Sequence, residues 1–438
     1  MILIAAAIAI PAATGWNVRV KSFPPLHAEW MPRLGPGTPL ALLLGVAGVI
    51  WGPRLAASLR WGRLLAVSFA ASAVWLFALA TVDGLDGIGT ILDHRYEYLG
   101  TAREVDDIGA TLREYVSRIP YAHEDNWPVH IAGHPPGALL FFVLLVRVGL
   151  GSGLAAGTVV MLLGATTVMA VLLTMRTLGA EDLARRAAPL LVFTPAAIWI
   201  AVSGDGLFMA VAAWGVCTLA LATRSRGGVR IVWSVVAGLL LGYCVMMSYG
   251  LPLLGVLALA VLVVGRSWVP LSIAAAAALA VVLVFAVNGF AWWEAFPVLQ
   301  QRYWDGVASR RPPGYWMWGN LAAFAVSAGP AIGASFVAVA AGVVGVIASR
   351  RRDRTPDRPS ILRDPRAGVL ILCVAGWLMV LLADISNMSR AEVERIWLPF
   401  VPWTTIGLAL FGPTVRRALL IAQIGFAIIV QSLLQTGW

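Results

Sequence analysis

Apolar runs recur along the whole chain, separated by short polar intervals. They cover residues 2–14, 39–51, 64–82, 137–150, 154–173, 187–203, 207–221, 232–249, 251–265, 270–289 and 321–347, with two or three more between 367 and the end. Many are close to the ~20 residues that a helix needs to cross the hydrocarbon layer of a membrane. A transmembrane β-barrel would alternate polar and apolar positions every second residue, and these runs do not. The pattern predicts an all-α, polytopic membrane protein with about 11–14 membrane helices.

The longest polar interruption, residues 83–137, holds ten of the twenty-two acidic residues and four of the five histidines. Within it Thr101 and Glu104 have the spacing of a capping box. Val105, Ile108, Leu112, Val116 and Ile119 follow at steps of three or four until Pro120. This predicts an amphipathic helix in a large loop. It lies either on the membrane surface or on the protein's own core.

Composition agrees: 60% of the 438 residues are hydrophobic and 12% charged, against about 25% charged in soluble domains. The mean hydropathy is +0.83. The net charge of +10 could suggest a nucleic-acid partner, but its placement does not. Segments 54–63, 176–186, 224–230, 266, 350–366 and 416–417 carry nineteen basic and five acidic residues, leaving the remainder net negative. That asymmetry is the orientation rule for membrane helices: the basic segments are cytoplasmic, the 83–134 loop extracytoplasmic, and no nucleic acid is implied. Cys217, Cys244 and Cys373 lie singly in apolar runs and read as core residues. The start lacks a basic n-region and reads as an uncleaved helix.

The order divides the chain into a catalytic transmembrane module over 1–349, with loops 83–134 and 291–320, a cytoplasmic linker at 350–366 rich in proline and alternating charge, and closing helices over 367–438. No soluble domain or internal repeat is evident. One register is open: passing from His134 to Arg176 needs an odd number of crossings, yet two apolar segments lie between them.

A carboxylate-rich loop beside a bilayer, with no phosphate-binding P-loop or dinucleotide fingerprint in the chain, suits an activated substrate that is itself membrane-borne. A polyprenyl-phosphate sugar fits. Its phosphate is already a good leaving group, so the site needs a base for the acceptor hydroxyl and positive charge for the departing phosphate. An acid straight after an early membrane helix, the amphipathic loop helix, the proline pair of GHPPGALLFF, the TPAAIWIAVSGDGLF pair of helices and the late VERIWLPFVPW together resemble the GT-C superfamily of polyprenyl-phosphate-sugar glycosyltransferases, particularly its protein-mannosyltransferase-like and actinobacterial branches. The main likeness covers residues 64–221. One departure is that two apolar runs precede residue 64, where such proteins usually have one helix before the acid.

The resemblance implies an inverting transfer of one sugar, mannose or arabinofuranose, to a hydroxyl of a lipid-linked or cell-wall glycan at the extracytoplasmic face of the plasma membrane. Asp83 takes the place of the first-loop base, with Asp86 and Glu97 as competitors, and Asp205 matches the second-loop acid. Each also has a plain alternative: Asp83 as a helix-ending carboxylate, Asp205 as a turn former in SGDG, His134 as a helix cap. Donor contacts are expected from His134, Glu97, Arg302, Arg310, Arg311 and Arg395, with Trp304 and Trp316 as candidates to stack on sugar and the other aromatics as an interface belt. His123, His130 and His134 match no strong metal-ligand spacing, so no cofactor is expected. The rival class is a transporter or lipid flippase, which would place ionisable residues within its spans and show two similar halves. Here Arg147 is the one charged residue in a span that has no ready place.

Overall fold

The computed structural model describes residues 1–20, 23–352 and 364–436, and within them the chain is almost wholly helical. The linker expected at 350–366 falls largely outside the described residues. Among the described residues eight helices are long and apolar enough to cross a membrane: Gly37–Ser58, Trp61–Asp83, Gly153–Thr177, Gly204–Arg224, Gly227–Met247, Val269–Val287, Pro365–Ile385 and Pro413–Leu433. The pair Pro313–Ser327 and Ile332–Ala348, bent by 105°, is a ninth if it forms one span. Four shorter apolar helices, Ile2–Thr14, Pro136–Arg147, Leu251–Gly265 and Leu398–Leu410, supply most of the remaining expected runs. The run at 187–203 is broken as well, into Glu181–Val192 and Ala197–Ile200 around Pro195, whose ring cannot donate to the helix ladder.

The helix ends gather on two faces. On one, Arg185 donates to the carbonyls of Ala56 and Leu59 at 3.0 and 2.8 Å, which joins the start of Glu181–Val192 to the turn between the first two long helices. We call this the arginine face. The opposite face carries the 83–135 loop. There the short strand Ala28–Trp30 pairs antiparallel with Leu434–Thr436, which brings the far end of the chain beside Arg33 and Asp83.

The crossing between His134 and Arg176 is resolved by Pro136–Arg147. Its 12 residues rise only about 18 Å, short of the ~30 Å hydrocarbon layer. Both of its ends are tied to the loop. At the start, Tyr115 donates to the His134 carbonyl at 3.1 Å; past the end, Arg103 donates to the Gly151 carbonyl at 2.8 Å and Arg147 to the Asp106 carbonyl at 3.0 Å. The segment therefore enters and leaves on one face, and Gly153–Thr177 makes the single crossing. Arg147 thereby finds its place: it caps loop backbone and does not sit inside a span.

Gly137 fixes the depth of this short helix. A Cβ on it would lie 2.4 Å from the Met246 carbonyl oxygen, and Tyr243 donates to the Gly137 carbonyl at 2.8 Å. Gly137→Ala is expected to cost about 1–3 kcal/mol through overpacking against backbone, seen as a lower melting temperature of the detergent-solubilised protein.

The amphipathic stretch is two helices, where one starting at Thr101 was expected. Thr101 lies inside Tyr98–Glu104, and a second helix, Ile108–Glu114, is capped by Asp107, whose side chain accepts from the Ala110 N–H at 3.1 Å. The Thr101–Glu104 spacing is therefore no capping box. Asp107 carries a better signal, a short carboxylate immediately before the apolar periodicity. Leu112, Tyr115 and Ile119 are buried, so the apolar face packs on the protein's own core.

Candidate functional site

The GDG segment is built for close approach. Ser203 caps the helix Gly204–Arg224 by accepting from the Gly206 N–H at 3.0 Å, and donates to the Trp199 carbonyl at 2.6 Å. A Cβ on Gly206 would sit 2.5 Å from the Ile200 carbonyl oxygen, and one on Gly204 3.0 Å from the Tyr98 ring. Asp205 is thus held in the first turn, where the helix dipole favours a negative charge. It is only 3% exposed.

Its partner comes from the far end of the chain. Arg395, on the short helix Val393–Ile396, reaches Asp205 at 2.5 Å and Glu392 at 3.2 Å. Ala391 and Glu392 both adopt left-handed backbone, with φ of 75° and 65°, which costs of order 1 kcal/mol per non-glycine residue. Fixed partners hold the turn: Asn320 accepts from the Ala391 N–H at 3.1 Å and Tyr303 from the Arg390 N–H at 2.8 Å.

From Arg395 a hydrogen-bonded chain continues into the loop. A guanidinium can only donate, so His130 Nε2, 2.9 Å away, accepts from Arg395. His130 Nδ1 then carries the proton and faces the Glu97 carboxylate at 2.8 Å. The sequence Glu97, His130, Arg395, Asp205 forms one buried line of alternating acceptor and donor. Burial disfavours charge on Glu97, yet His130, Arg395 and His134 around it hold its carboxyl below the usual range. Burial likewise opposes the Arg395 cation, but Asp205, Glu392 and Glu97 outweigh it and carry its pKa above the ordinary arginine value.

His134 stands beside this line. Its Nδ1 lies 2.7 Å from the His130 carbonyl and 3.0 Å from the Tyr98 hydroxyl. The carbonyl can only accept, so Nδ1 bears the proton and Nε2 the lone pair. Burial pushes the imidazole pKa down, against the pull of Asp205 and the His130 carbonyl. Tyr98 is itself stacked on Phe142 at 4.9 Å, which couples the ring to the re-entering helix.

Arg311 and His27 also flank Glu392. Arg311 lies 3.6 Å from it and 2.5 Å from His27 Nε2, and His27 lies 3.8 Å from the same carboxylate. Burial would raise the Glu392 pKa, but Arg395, Arg311, His27 and His130 pull it down to about 2.

The other sequence candidates fall elsewhere. Asp83 is paired with Arg33 and lies 3.4 Å from the Gln431 amide, its side chain 35% exposed. Asp86 is exposed. Neither is among the partners of Asp205. Arg302 spends its guanidinium on the Ile119 and Trp127 carbonyls and lies 4.0 Å above the Tyr121 ring, so it ties the loop together. Arg310 is exposed. Trp304 lies under the Arg390 guanidinium at 4.7 Å. Trp316 is buried, with its N–H given to the Val18 carbonyl. Nothing in the sequence marks Tyr98, His27, Arg33 or Glu392 as site residues, and His130 enters there only in a histidine set whose spacing matches no strong metal-ligand motif. Glu392 and Arg395, three apart across the start of the helix Val393–Ile396, offer a local signal; for His27 and Arg33 there is none. Among the described residues no group of three or more histidine, cysteine, aspartate or glutamate side chains is placed to hold a metal ion.

No family model matches the sequence, and no curated protein does. Among solved structures, the chain is similar to the crystal structure of the Archaeoglobus fulgidus oligosaccharyltransferase in complex with zinc and sulfate. The TM-score is 0.48 at 14% identity, over 84% of this chain and 52% of that one, so the chain spans about half the length of that structure.

Proposed function

We propose that this protein is an integral membrane glycosyltransferase of GT-C type. It transfers one sugar, mannose or arabinofuranose, from a polyprenyl-phosphate donor to a hydroxyl of a lipid-linked or cell-wall glycan, at the extracytoplasmic face of the plasma membrane. The observation that carries this reading is the buried line of Glu97, His130, Arg395 and Asp205, assembled where the 83–135 loop meets the helix ends. Such a site offers fixed charge, shielded from water, next to the layer in which a polyprenyl donor resides.

In this reading the acceptor oxygen attacks the anomeric carbon as the bond from that carbon to the phosphate oxygen breaks. The polyprenyl phosphate leaves with the electron pair, and the acceptor proton passes to a carboxylate. Asp83 takes that proton, being the accessible carboxylate at the end of a span, with Asp86 beside it in sequence as the second choice. Arg395, held by Asp205, and Arg311 supply the positive charge that the departing phosphate needs, and His134 with Glu97 orients the loop around the donor. Arg302 ties the 83–135 loop together and Trp304 packs under Arg390, so both act as supports in this reading.

Membranes containing the protein, supplied with radiolabelled polyprenyl-phosphate mannose or arabinofuranose, are expected to yield labelled glycolipid or glycan. Movement of intact donor across the bilayer without sugar transfer would instead identify a transporter or flippase and overturn the proposal.

A further inference from the structure

The arginine face, opposite the charged loop, holds a pocket of about 560 Å³ between Gly37–Ser58, Glu181–Val192 and Pro413–Leu433. Its volume is in the range of small-molecule sites. Five arginines line it, Arg54, Arg185, Arg186, Arg416 and Arg417, against a single acid, Asp182. Two of the five are engaged by the fold: Arg185 by Glu181 and two carbonyls, and Arg416 by the Phe411 carbonyl. Arg54, Arg186 and Arg417 have no ion pair among the described residues, and the Arg186 and Arg416 guanidiniums lie close enough to repel one another.

The orientation rule accounts for arginines in the turns of this face. It does not account for their convergence, from three helices remote in sequence, on one cavity. The wall below them is apolar, and its register repeats. Ile50 lies one helical turn deeper than Arg54, Leu190 one turn deeper than Arg186, and Leu420 one turn deeper than Arg416. The exposed flank of Gly37–Ser58, with Leu43, Val46 and Ile50, continues the apolar surface out of the pocket.

We infer that this pocket binds an anionic phospholipid. The phosphate of the headgroup sits among Arg54, Arg186 and Arg417, and one acyl chain runs along Ile50, Leu190 and Leu420. A cationic rim over an apolar wall at a helix end matches the two halves of that molecule. A free phosphate compound would satisfy the rim alone and leave the wall unused.

The test uses the purified full-length protein in neutral detergent, with native mass spectrometry and thermal shift as readouts. Short-chain phosphatidylglycerol is expected to bind and raise the melting temperature, with phosphatidylcholine of the same chains at least tenfold weaker. Glycerol phosphate, which lacks chains, is expected to bind more weakly than phosphatidylglycerol. The double variant Arg186→Gln with Arg417→Gln should lose roughly 30-fold in phosphatidylglycerol affinity while melting like the wild type without lipid. Equal binding of the two phospholipids, or unchanged affinity in the variant, would overturn the inference. Glycerol phosphate binding as tightly as the lipid would make the occupant a free phosphate compound and overturn it also. If the double variant does not fold, the three-ligand comparison on the wild type decides alone.

Discussion

Arg395→Gln is expected to lower the stability of the protein by about 3–5 kcal/mol, the range for breaking a buried ion pair from one side. Arg395 is 5% exposed and is the shared partner of Asp205 and Glu392, as well as the donor to His130. Glutamine cannot neutralise either carboxylate. Asp205, almost without access to water, would then have to protonate or draw water into the packing, and either route costs energy that the folded state now avoids. The loss would appear as a lower melting temperature and a lower unfolding free energy in mixed micelles. Pairing Arg395→Met with Asp205→Leu should recover part of it, because the apolar pair removes both buried charges together. A single Arg395 variant that melts like the wild type would mean that the ion pair does not hold the loop to the helices.

The pH dependence of the same cluster has a definite sign. Glu392 and Glu97 have depressed carboxyl pKa values in the folded protein. Their stabilising contribution is complete above the ordinary value of 4.5 and is lost as pH falls, for Glu392 through its folded value of about 2. His134 acts in the same direction. Its folded pKa lies below the ordinary 6.5, so the unfolded chain takes up a proton first as pH drops, and stability declines from about that pH. Without Arg395, the strongest of the charges that depress the Glu392 pKa is gone, and the acid loss from that group should begin at higher pH. Melting curves of wild type and variant between pH 7 and pH 3 measure the difference.

Asp83→Asn is expected to leave the fold intact and remove the chemistry. Its pair with Arg33 is partly exposed, and such pairs contribute about 0–1 kcal/mol, so the melting temperature should barely move. On the glycosyltransferase reading Asp83 accepts the acceptor proton, and losing a general base typically costs 10²–10⁴-fold in rate, as an order of magnitude. Asparagine keeps the shape and still accepts a hydrogen bond from Arg33, so a rate loss would reflect proton transfer and not a collapsed site. Sugar transfer from labelled donor in membranes is the measurement. Full activity in this variant would exclude Asp83 as the base and direct attention to Asp86 and the Asp205 cluster. The two variants differ in stability: loss of Arg395 is expected to lower both stability and rate, and loss of Asp83 to lower the rate alone, although both carboxylate–arginine pairs lie on the same face.

What the sequence determined by itself were features with local causes. Apolar runs of span length dictate membrane helices, because a backbone in hydrocarbon must satisfy its own hydrogen bonds. The alternation of arginine-rich turns with acidic loops separates the two faces. Asp205 stands out in the sequence because SGDG, between two apolar runs, has the residue types of a turn. Tertiary structure alone decided which of those groups meet. Asp205 and Arg395 are 190 residues apart, and His130 and Arg395 are 265 apart. No local periodicity encodes such a contact, because it depends on how the spans pack and on where the loop is pinned. The same holds for the re-entering helix Pro136–Arg147. Its sequence is as apolar as a true span, and only its hydrogen bonds to the loop at both ends show that it turns back. Partners written far apart in the chain are invisible to a linear reading. The buried charges find them through the fold, because leaving any one of these groups unpaired in a medium that solvates charge poorly would cost more than the ordering that brings them together.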